Sequence, residues 1–529
     1  MGDQLSKANA KYTFIDLFAG IGGFHAALAA TGGECKYAVE IDKDAAAVYE
    51  RNWDMPALGD ITKDANDDGV TLRGYDGQID VLTGGFPCQP FSKSGAQHGM
   101  AETRGTLFWN IARIIEERRP PVLLLENVRN LVGPRHRHEW LTIIETLRFL
   151  GYEVSGAPAI FSPHLLPAWL GGTPQVRERV FITATLIPEH LREERIPRTE
   201  TGEIDPEAIG PEPVASMADR FPRSEGGTEL FEPGDRQTGW DLFTSGIIRP
   251  DDPAPTNVDL RLTEAETLWI DAWDDLESTI RRVTGRPLEG FPYWADSWTH
   301  FPELSRLVVT RKFLAPEREV VKDRKRYVAR TDIPDDLVPP SVTRPPIDDS
   351  LPAWKQSHLR RNYDFFERHY AEIVAWAYRW GVYTDLFPAS RRKLEWQAQD
   401  APRLWGTVMH FRPSGIRAKR PTYLPALVAI TQTSIIGPLE RRLSPRETAR
   451  LQGLPEWFDF GKQKASATYK QMGNGVNVGV VQHILRRHVV RDRDLLRLTP
   501  DGRRIIEAIL QRGPTHRATW SAWRDNRRG

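Results

Sequence analysis

The chain has 529 residues, 40% of them hydrophobic and 27% charged, which indicates a globular protein too long for one ordinary core. Its 71 basic and 71 acidic side chains balance, so no strong overall charge draws nucleic acid to the molecule. Two cysteines exclude a disulfide framework and lack the spacing of a zinc site, so we predict free thiols, no bound metal and a cytoplasmic protein.

Charge and hydropathy vary along the chain although the totals balance. The longest apolar runs are too short to cross a bilayer and the N-terminus lacks an apolar signal core, so we expect no membrane association. Leu386 to Arg420 carries eight basic and two acidic residues, whereas Thr199 to Asp252 is acidic and rich in glycine and proline. These local imbalances are more informative than the total.

From residue 12 to about 185, short apolar runs alternate with amphipathic stretches. This alternation predicts an α/β fold in which helices cover both faces of a parallel sheet, with the active loops at the carboxyl ends of the strands. In chain order we predict the strand YTFIDLF, the helix GFHAALAAT, the strand KYAVEI, the helix DKDAAAVYERNW opened by a capping Asp, the strand IDVLTG, the helix GTLFWNIARIIEERR and the strand VLLLENV.

The pattern changes near Pro188, where long polar stretches and proline clusters begin. Compact helical character returns after Gly437, in LSPRETARLQGLPEWF and YKQMGNGVNVGVVQHILRRH. We therefore divide the chain into residues 1–187, a separate module at 188–437 with a long insertion, a return to the first domain at 438–490, and a basic extension at 491–529. The acidic stretch from 199 to 252 is expected to be peripheral.

The string FIDLFAGIGGF is a strand that runs into Gly20, Gly22 and Gly23 and then into a helix. Such a turn lets a ligand approach the backbone and the helix N-terminus, although a tight turn without a ligand is an equally good interpretation. The third glycine follows the second directly, so the spacing is not the GxGxxG of a pyrophosphate loop.

Two acids follow this turn at places where strands are predicted to end. Glu40 is placed to bind ribose hydroxyls, and Asp60 in LGDIT is placed to accept from an exocyclic adenine amine. Phe18 is a candidate for stacking on adenine, with core packing as the alternative. Together the loop and the two acids favour an adenosine cofactor.

Cys88, in GGFPCQPFS, follows the predicted strand IDVLTG at the same sheet edge. A thiolate is a strong carbon nucleophile, and Pro87 restricts the backbone that carries it. An isolated cysteine is more often a small packed hydrophobe, which is how we interpret Cys35.

Further along, ENV places Glu126 after four apolar residues, where a carboxyl can stay protonated near neutral pH. Asn127 is a candidate for orienting it. QVRERVFI then places Arg177 and Arg179 two residues apart, beside a prospective anion or carbonyl, with a solvated surface pair as the alternative.

These strings, in this order, resemble the DNA cytosine-5 methyltransferases of bacterial and phage restriction-modification systems. The resemblance covers the first 185 residues and about 438 to 485, a little under half of the chain. The matching strings are FIDLFAGIGGF, GDIT, GGFPCQPFSKSG, RGTLFWNIARII, ENVRNL, QVRERVFI, RLSPRETARLQGLP and YKQMGNGV.

The resemblance implies a class I, Rossmann-like methyltransferase domain with an inserted target recognition domain. It implies that Cys88 adds to C6 of a flipped-out cytosine, that Glu126 holds or protonates N3, and that S-adenosylmethionine gives its methyl to C5. Arg177 is expected to contact the cytosine O2, and Arg179 to support Glu126. The positions expected around the cofactor are Phe18, Gly20, Gly22, Gly23, Glu40, Asp60, Ile61, Leu107, Asn474 and Val476.

The expected partner is double-stranded DNA, and the protein is expected to bind it as a monomer. A cognate restriction endonuclease is expected to act on the same DNA site. Gln89, Ser92 and Ser94 lie on the loop that closes over DNA in the family. Within 188–437 the basic runs predict DNA contacts by Arg391, Arg392, Lys393, Arg417, Lys419 and Arg420, with a solvated face as the alternative. The chain has Ala426 and Leu427 where the family commonly has a Thr-Leu pair.

Three other functions are weighed against this one. An RNA-directed enzyme of the same superfamily is less favoured because a large module separates the two catalytic blocks. A DNA-binding protein without activity does not need Cys88, Glu126, Arg177 and Asn474 together. A nicotinamide dehydrogenase fails on the glycine spacing.

Overall fold

A computed structural model describes residues 12–87, 106–222, 230–231, 239–252, 258–321, 324–398, 400–427 and 433–511. The chain divides into two compact units. The first consists of Met1–Ile248, Pro425–Thr431 and Pro445–Gly529, and the second of Arg249–Leu424 and Gln432–Ser444. Among the described residues, no helix is long and apolar enough to cross a membrane.

The first unit is built on a seven-stranded sheet. Its strands are β1 (Tyr12–Leu17), β2 (Gly33–Val39), β3 (Val81–Gly85), β4 (Val122–Val128), β5 (Tyr152–Val154), β6 (Ala159–Phe161) and β7 (Arg179–Leu186). Their order is β2-β1-β3-β4-β7-β5, and β6 also pairs with β7. The first four strands are parallel. β1, β3 and β4 are almost wholly buried, as the apolar runs in their sequences require, whereas β2 is buried only at its last three residues.

The Rossmann-like fold is thus as predicted, but the expectation of a purely parallel sheet is wrong at one side. β7 runs antiparallel to β4, β5 and β6. The cause is local, because only short turns and a two-residue strand separate β6 from β7. A parallel neighbour is usually reached through a crossover α-helix, and residues 162–178 contain only two three-residue 3-10 helices.

The longer helices of the two units are numbered α1 to α11. In chain order they are α1 (Gly23–Ala30), α2 (Lys43–Trp53), α3 (Leu107–Arg118), α4 (Arg137–Phe149), α5 (Glu264–Thr284), α6 (Pro302–Val309), α7 (Ala353–Trp380), α8 (Pro445–Leu451), α9 (Ala465–Asn474), α10 (Val478–Arg491) and α11 (Pro500–Gln511). Four-residue helices occur at Arg192–Arg195, Ala295–Trp298 and Arg493–Leu496. The predicted cap of α2 is present, since the Asp42 carboxylate accepts from the amides of Asp44 and Ala45.

The division into units differs from the sequence-based one. The second unit begins at Arg249, not near Pro188. The intervening stretch belongs to the first unit because it buries side chains there, Leu242 and Ile248 among them. The end of the acidic stretch therefore contributes to the core of the first unit, whereas most residues from 199 to 213 are exposed or half-buried. The arginine-rich end likewise packs into the first unit as far as α11, with Ile505 and Ile509 buried.

The second unit contains a six-stranded sheet that shares one hydrophobic core with α5 and α7. Its strands are β8 (Pro292–Trp294), β9 (Lys393–Gln397), β10 (Val408–Arg412), β11 (Gly415–Lys419), β12 (Ile435–Ile436) and β13 (Arg441–Arg442), in the order β8-β9-β11-β10-β12-β13. Its core is rich in tryptophan, with Trp273, Trp298 and Trp376 fully buried. Two-stranded ribbons also occur at 65–66 with 69–70, 221–222 with 230–231, and 317–321 with 324–328.

Candidate active site

A cavity of about 450 Å³ opens in the first unit at the carboxyl ends of its parallel strands. The turns after β1, β2, β3 and β4 form its walls, and the segment from Lys470 to Val476 closes another side. Parallel strands deliver their C-terminal loops to one edge, which is why residues far apart in sequence meet here. The predicted site residues that line the cavity are Phe18, Gly20, Gly23, Glu40, Asp60, Ile61, Leu107, Glu126, Arg179, Asn474 and Val476.

Some predicted residues lie elsewhere. Cys88, Gln89, Ser92 and Ser94 lie outside the described residues. Gly22 and Arg177 are described by the structure but do not line the cavity. Both touch neighbours of that wall, as the next paragraphs describe.

The glycine turn after β1 is held in a left-handed conformation. Phe18, Gly20 and Gly22 all have positive φ, at 56°, 56° and 92°. A Cβ on Gly22 would lie 2.0 Å from Nε1 of Trp53, and that indole donates to the Ile21 carbonyl at 3.0 Å. Gly22 is therefore required by close packing, whereas a Cβ on Gly20 would meet nothing within 4 Å.

Glu40, at the end of β2, holds two backbone amides. Its Oε2 accepts from the Gly20 amide at 2.9 Å and its Oε1 from the Asp42 amide at 2.7 Å. A carboxylate has about four acceptor positions, so two remain for a ligand in the cavity. Glu40 thus couples the glycine turn to the start of α2.

The cavity also has apolar and charged walls that sequence reasoning missed. Ile41 is 71% exposed and presents apolar surface to the cavity. It lines the cavity with Lys470, whose Nζ lies 2.7 Å from Asp42 Oδ2 and is the main cause of the lowered pKa of that carboxyl. The available signal was an isoleucine placed directly after Glu40.

Asp60 lines the cavity but does not end a strand, which corrects the sequence-based placement. Its carboxylate accepts from the Thr62 amide at 3.0 Å and caps the 3-10 turn Ile61–Lys63. The segment is kept beside the sheet by the Leu58 amide, which donates to the Ala38 carbonyl of β2 at 2.8 Å.

Glu126 is the most buried ionisable group of the cavity wall, at 6% exposure. Its Oε1 lies 2.8 Å from Nε of Arg179. Burial raises the pKa of Glu126 above its usual range, and Arg179 and Arg177 oppose the shift. Gly85 faces it closely, since a Cβ there would lie 3.3 Å from Oε2.

Asn127 does not orient Glu126, contrary to the sequence-based expectation. Its Nδ2 donates to the Phe86 carbonyl at 2.9 Å, and its Oδ1 accepts from the Val128 amide at 2.8 Å. The side chain points to the neighbouring strand because residues alternate between the two faces of β4. Asn127 therefore fixes the backbone two residues before Cys88.

Arg177 is 2% exposed and binds backbone rather than the cavity. It donates to the carbonyls of Gly473 at 2.8 Å, Gly475 at 2.5 Å and Leu427 at 3.4 Å. Burial, with the neighbouring Arg179, lowers the pKa of Arg177 to about 9. Its guanidinium thus fixes the C-terminal end of α9, where the carbonyls carry partial negative charge.

Five of the six basic residues predicted to contact DNA have a partner within the second unit. Arg391 is 9% exposed and lies between the rings of Trp269 and Phe411, while Arg392 pairs with Asp296.

Lys393 sits 4.3 Å from the ring centre of Trp294, and Arg420 pairs with Asp400. These contacts account for much of the basic run without a DNA partner. Arg417 pairs with Glu395, and Arg417 and Lys419 lie half-buried on the face of the sheet opposite its core.

The C-5 cytosine-specific DNA methylase family matches residues 12–489. The chain is 86% identical over 510 residues to the type II methyltransferase M.AluI of Cellulosimicrobium cellulans, covering 96% of this chain and 98% of the relative. It is 41% identical over 169 residues to M.HhaI of Haemophilus parahaemolyticus, covering 32% and 47%. A solved DNMT2 mutant of Spodoptera frugiperda aligns with a TM-score of 0.37 and 15% identity, covering 90% of this chain and 99% of that one.

The glycine turn gives a first prediction. Gly22→Ala should lower the free energy of unfolding by about 3 kcal/mol, because it adds both a positive-φ penalty and a clash with Trp53. Gly20→Ala, which has the same kind of backbone and open space, should lose only about 1 kcal/mol. Urea unfolding of both variants measures the difference, and equal losses would contradict the packing role of Trp53.

The Arg177 contacts give a second prediction. Arg177→Met should lower the free energy of unfolding by about 3 kcal/mol, because buried carbonyls lose a charged donor. Hydrogen exchange should also accelerate at the amides of 473–476. Arg177→Lys keeps a donor and serves as the control. Unchanged exchange at 473–476 in the Met variant would show that Arg177 does not fix this segment.

Proposed function

The chain belongs to the C-5 cytosine-specific DNA methylase family, and we propose that Cys88, Glu126 and Arg179 are its reacting groups. It is an enzyme that methylates C5 of cytosine in DNA with S-adenosylmethionine. The observation that carries the proposal is the buried pair of Glu126 and Arg179 in the cavity wall. We propose a different role for Arg177, which fixes the backbone of the wall.

The residues of the cavity fit S-adenosylmethionine. Open space at Gly20, the two free acceptor positions of Glu40 and the exposed apolar surface of Ile41 suit an adenosine, with hydroxyls at one end and a flat ring at the other. When bound, this cofactor supplies the methyl group. We propose that Phe18, Glu40, Asp60, Ile61, Leu107, Asn474 and Val476 hold it, while Gly22 only shapes the turn.

Cys88 follows Phe86 and Pro87 in the chain, and both of these line the cavity. The Asn127 side chain holds the Phe86 carbonyl, which supports a fixed approach for the next residues. We propose that the Cys88 thiolate adds to C6 of the cytosine. The electron pair displaced from the C5–C6 double bond makes C5 nucleophilic. A cytosine stacked in the duplex cannot be reached in this way, so the base must first leave the helix.

Glu126 is suited to act on N3 of the extruded base. A carboxyl whose pKa is raised by burial keeps its proton more readily, and that proton can go to N3 as Cys88 adds to C6. The adjacent Arg179 limits the shift and donates to the carboxylate that is left. After methylation, water acting as base takes the C5 proton, and the electron pair of that bond restores the C5–C6 double bond as the C6–S bond breaks and releases the Cys88 thiolate. N3 then returns its proton to Glu126.

We further propose that a monomer reads its DNA sequence through the second unit, and that Gln89, Ser92 and Ser94 approach the backbone of the target strand. A relative named as a type II methyltransferase supports a modification role, with a cognate restriction endonuclease as partner. Bisulfite sequencing of DNA from cells that express the protein reports both the activity and the target sequence.

Substitution of the thiol tests the mechanism directly. Cys88→Ser should abolish transfer of labelled methyl to duplex DNA and leave DNA binding measurable. Cys35→Ser, which changes the other cysteine on β2, is the matched control and should retain activity. With 5-fluorocytosine at the target, wild type should remain covalently bound because C5 carries no proton to lose. No covalent complex with the fluorinated duplex, from a sample that methylates ordinary DNA, would refute addition by Cys88.

The pH dependence tests the pairing of Glu126 with Arg179. Because activity needs the protonated carboxyl, kcat/KM should fall as pH rises through the pKa of Glu126. Arg179 lowers that pKa, so Arg179→Met should raise it and move the alkaline limb to higher pH. Glu126→Gln should lack this limb. A limb that stays in place in Arg179→Met would assign it to another group.

A further inference from the structure

The sheet of the second unit has two unlike faces. Alternate residues of β9, β10 and β11 lie in the core, among them Leu394, Met409 and Ile416. The other face carries polar side chains, and its register pairs His410 with Arg417 and Arg417 with Glu395. We call His410, Arg412, Arg417 and Lys419 the cationic face.

One carboxylate serves this whole face. Nε of Arg417 lies 2.6 Å from Glu395 Oε2, and Nη1 of Arg412 lies 3.7 Å from the same oxygen. The two arginine side chains remain 31% and 42% exposed, so both keep donors free to face outward. Among the described residues, Lys419 has no hydrogen bond or ion pair.

The electrostatics of the face are unbalanced. Burial lowers the pKa of Lys419, and Arg417 and Arg412 lower it further, with only Glu395 opposing them. Burial and the same three cations lower the pKa of His410 to about 3, so this ring is neutral at neutral pH and adds no charge. The positive charges of Arg412, Arg417 and Lys419 are therefore balanced by the single carboxylate of Glu395 at a half-buried position. A second anion bound there would reduce the repulsion among the three positive charges.

The neighbouring basic residues differ in this respect. Arg392 and Arg420 each have their own carboxylate, and Arg391 is buried against aromatic rings. Lys393, on the same sheet face as Glu395, has the ring of Trp294 at 4.3 Å in place of a carboxylate. Two guanidinium groups and an ammonium with outward donors match the oxygens of a phosphate better than the edge of any single base.

We propose that the cationic face binds backbone phosphate of the DNA substrate, fixing the position of the second unit on the duplex without reading sequence. This proposal rests on the proposed function, since it takes DNA as the substrate. Charge complementarity selects the occupant: three cations around one carboxylate require an anion, and the duplex carries one at every phosphate.

The test is the salt dependence of DNA binding by the full chain. Lys419→Met and Arg412→Gln each remove one positive charge and keep most of the aliphatic part of the side chain. As the control, Lys312→Met removes one positive charge from an exposed lysine of the same unit. Binding is measured by fluorescence anisotropy over a salt series, with a duplex that wild type methylates and with a scrambled duplex. Each cationic-face variant should reduce the slope of log K against log salt by about 0.9 and weaken both duplexes alike. Lys312→Met should match wild type.

Three results would overturn the proposal. These are a slope equal to that of wild type, a loss confined to the methylated sequence, and an equal loss in Lys312→Met. Lys419→Arg should restore the slope, which separates loss of charge from loss of folding. Methyl transfer by wild type in the same samples reports on the proposed function separately. If wild type methylates DNA while the slopes stay equal, only the phosphate assignment fails.

Discussion

The pairing of Glu126 with Arg179 depends on the antiparallel direction of β7. An antiparallel strand begins at the edge where its neighbour ends, so Arg179, the first residue of β7, pairs with Val128 at the end of β4. That register puts its guanidinium 2.8 Å from Glu126. A parallel β7 would have started at the opposite edge of the sheet and carried Arg179 away from the cavity. The one departure from a parallel sheet thus builds the site.

The same edge is completed by chain that returns after the second unit. Gly473 and Gly475 receive hydrogen bonds from Arg177, almost 300 positions earlier in sequence. Asn474 and Val476 then face the cavity between and beside these anchored carbonyls. Because Arg177 is buried and charged, its removal leaves acceptors that water cannot reach. Arg177, which itself lies outside the cavity, therefore helps to hold this part of the cavity wall against the sheet.

Much of this arrangement could be predicted from sequence because its signals are local. Apolar runs defined β1 to β4, Asp42 capped α2, and the glycine string marked the turn that Trp53 now supports. The backbone partners of Arg177 in the 473–475 segment and of Asn127 at Phe86 could not be predicted, because each depends on which distant backbone group comes within hydrogen-bonding distance. The direction of β7 was missed for the same reason. Strand pairing is decided by the path between strands and not by their own residues.

The basic runs of the second unit show how far charge counting goes. Arg391, Arg392 and Lys393 are consecutive, yet they meet aromatic rings, a carboxylate and another ring. Strand alternation then sorts β11, sending Ile416 and Ala418 inward and Arg417 and Lys419 outward. The sequence records the number of charges, whereas the sheet register decides which carboxylate each one shares. Among the described residues, Arg412 and Arg417 share the single carboxylate of Glu395. The excess of positive charge therefore arises from pairing across strands, which the order of residues along the chain does not show.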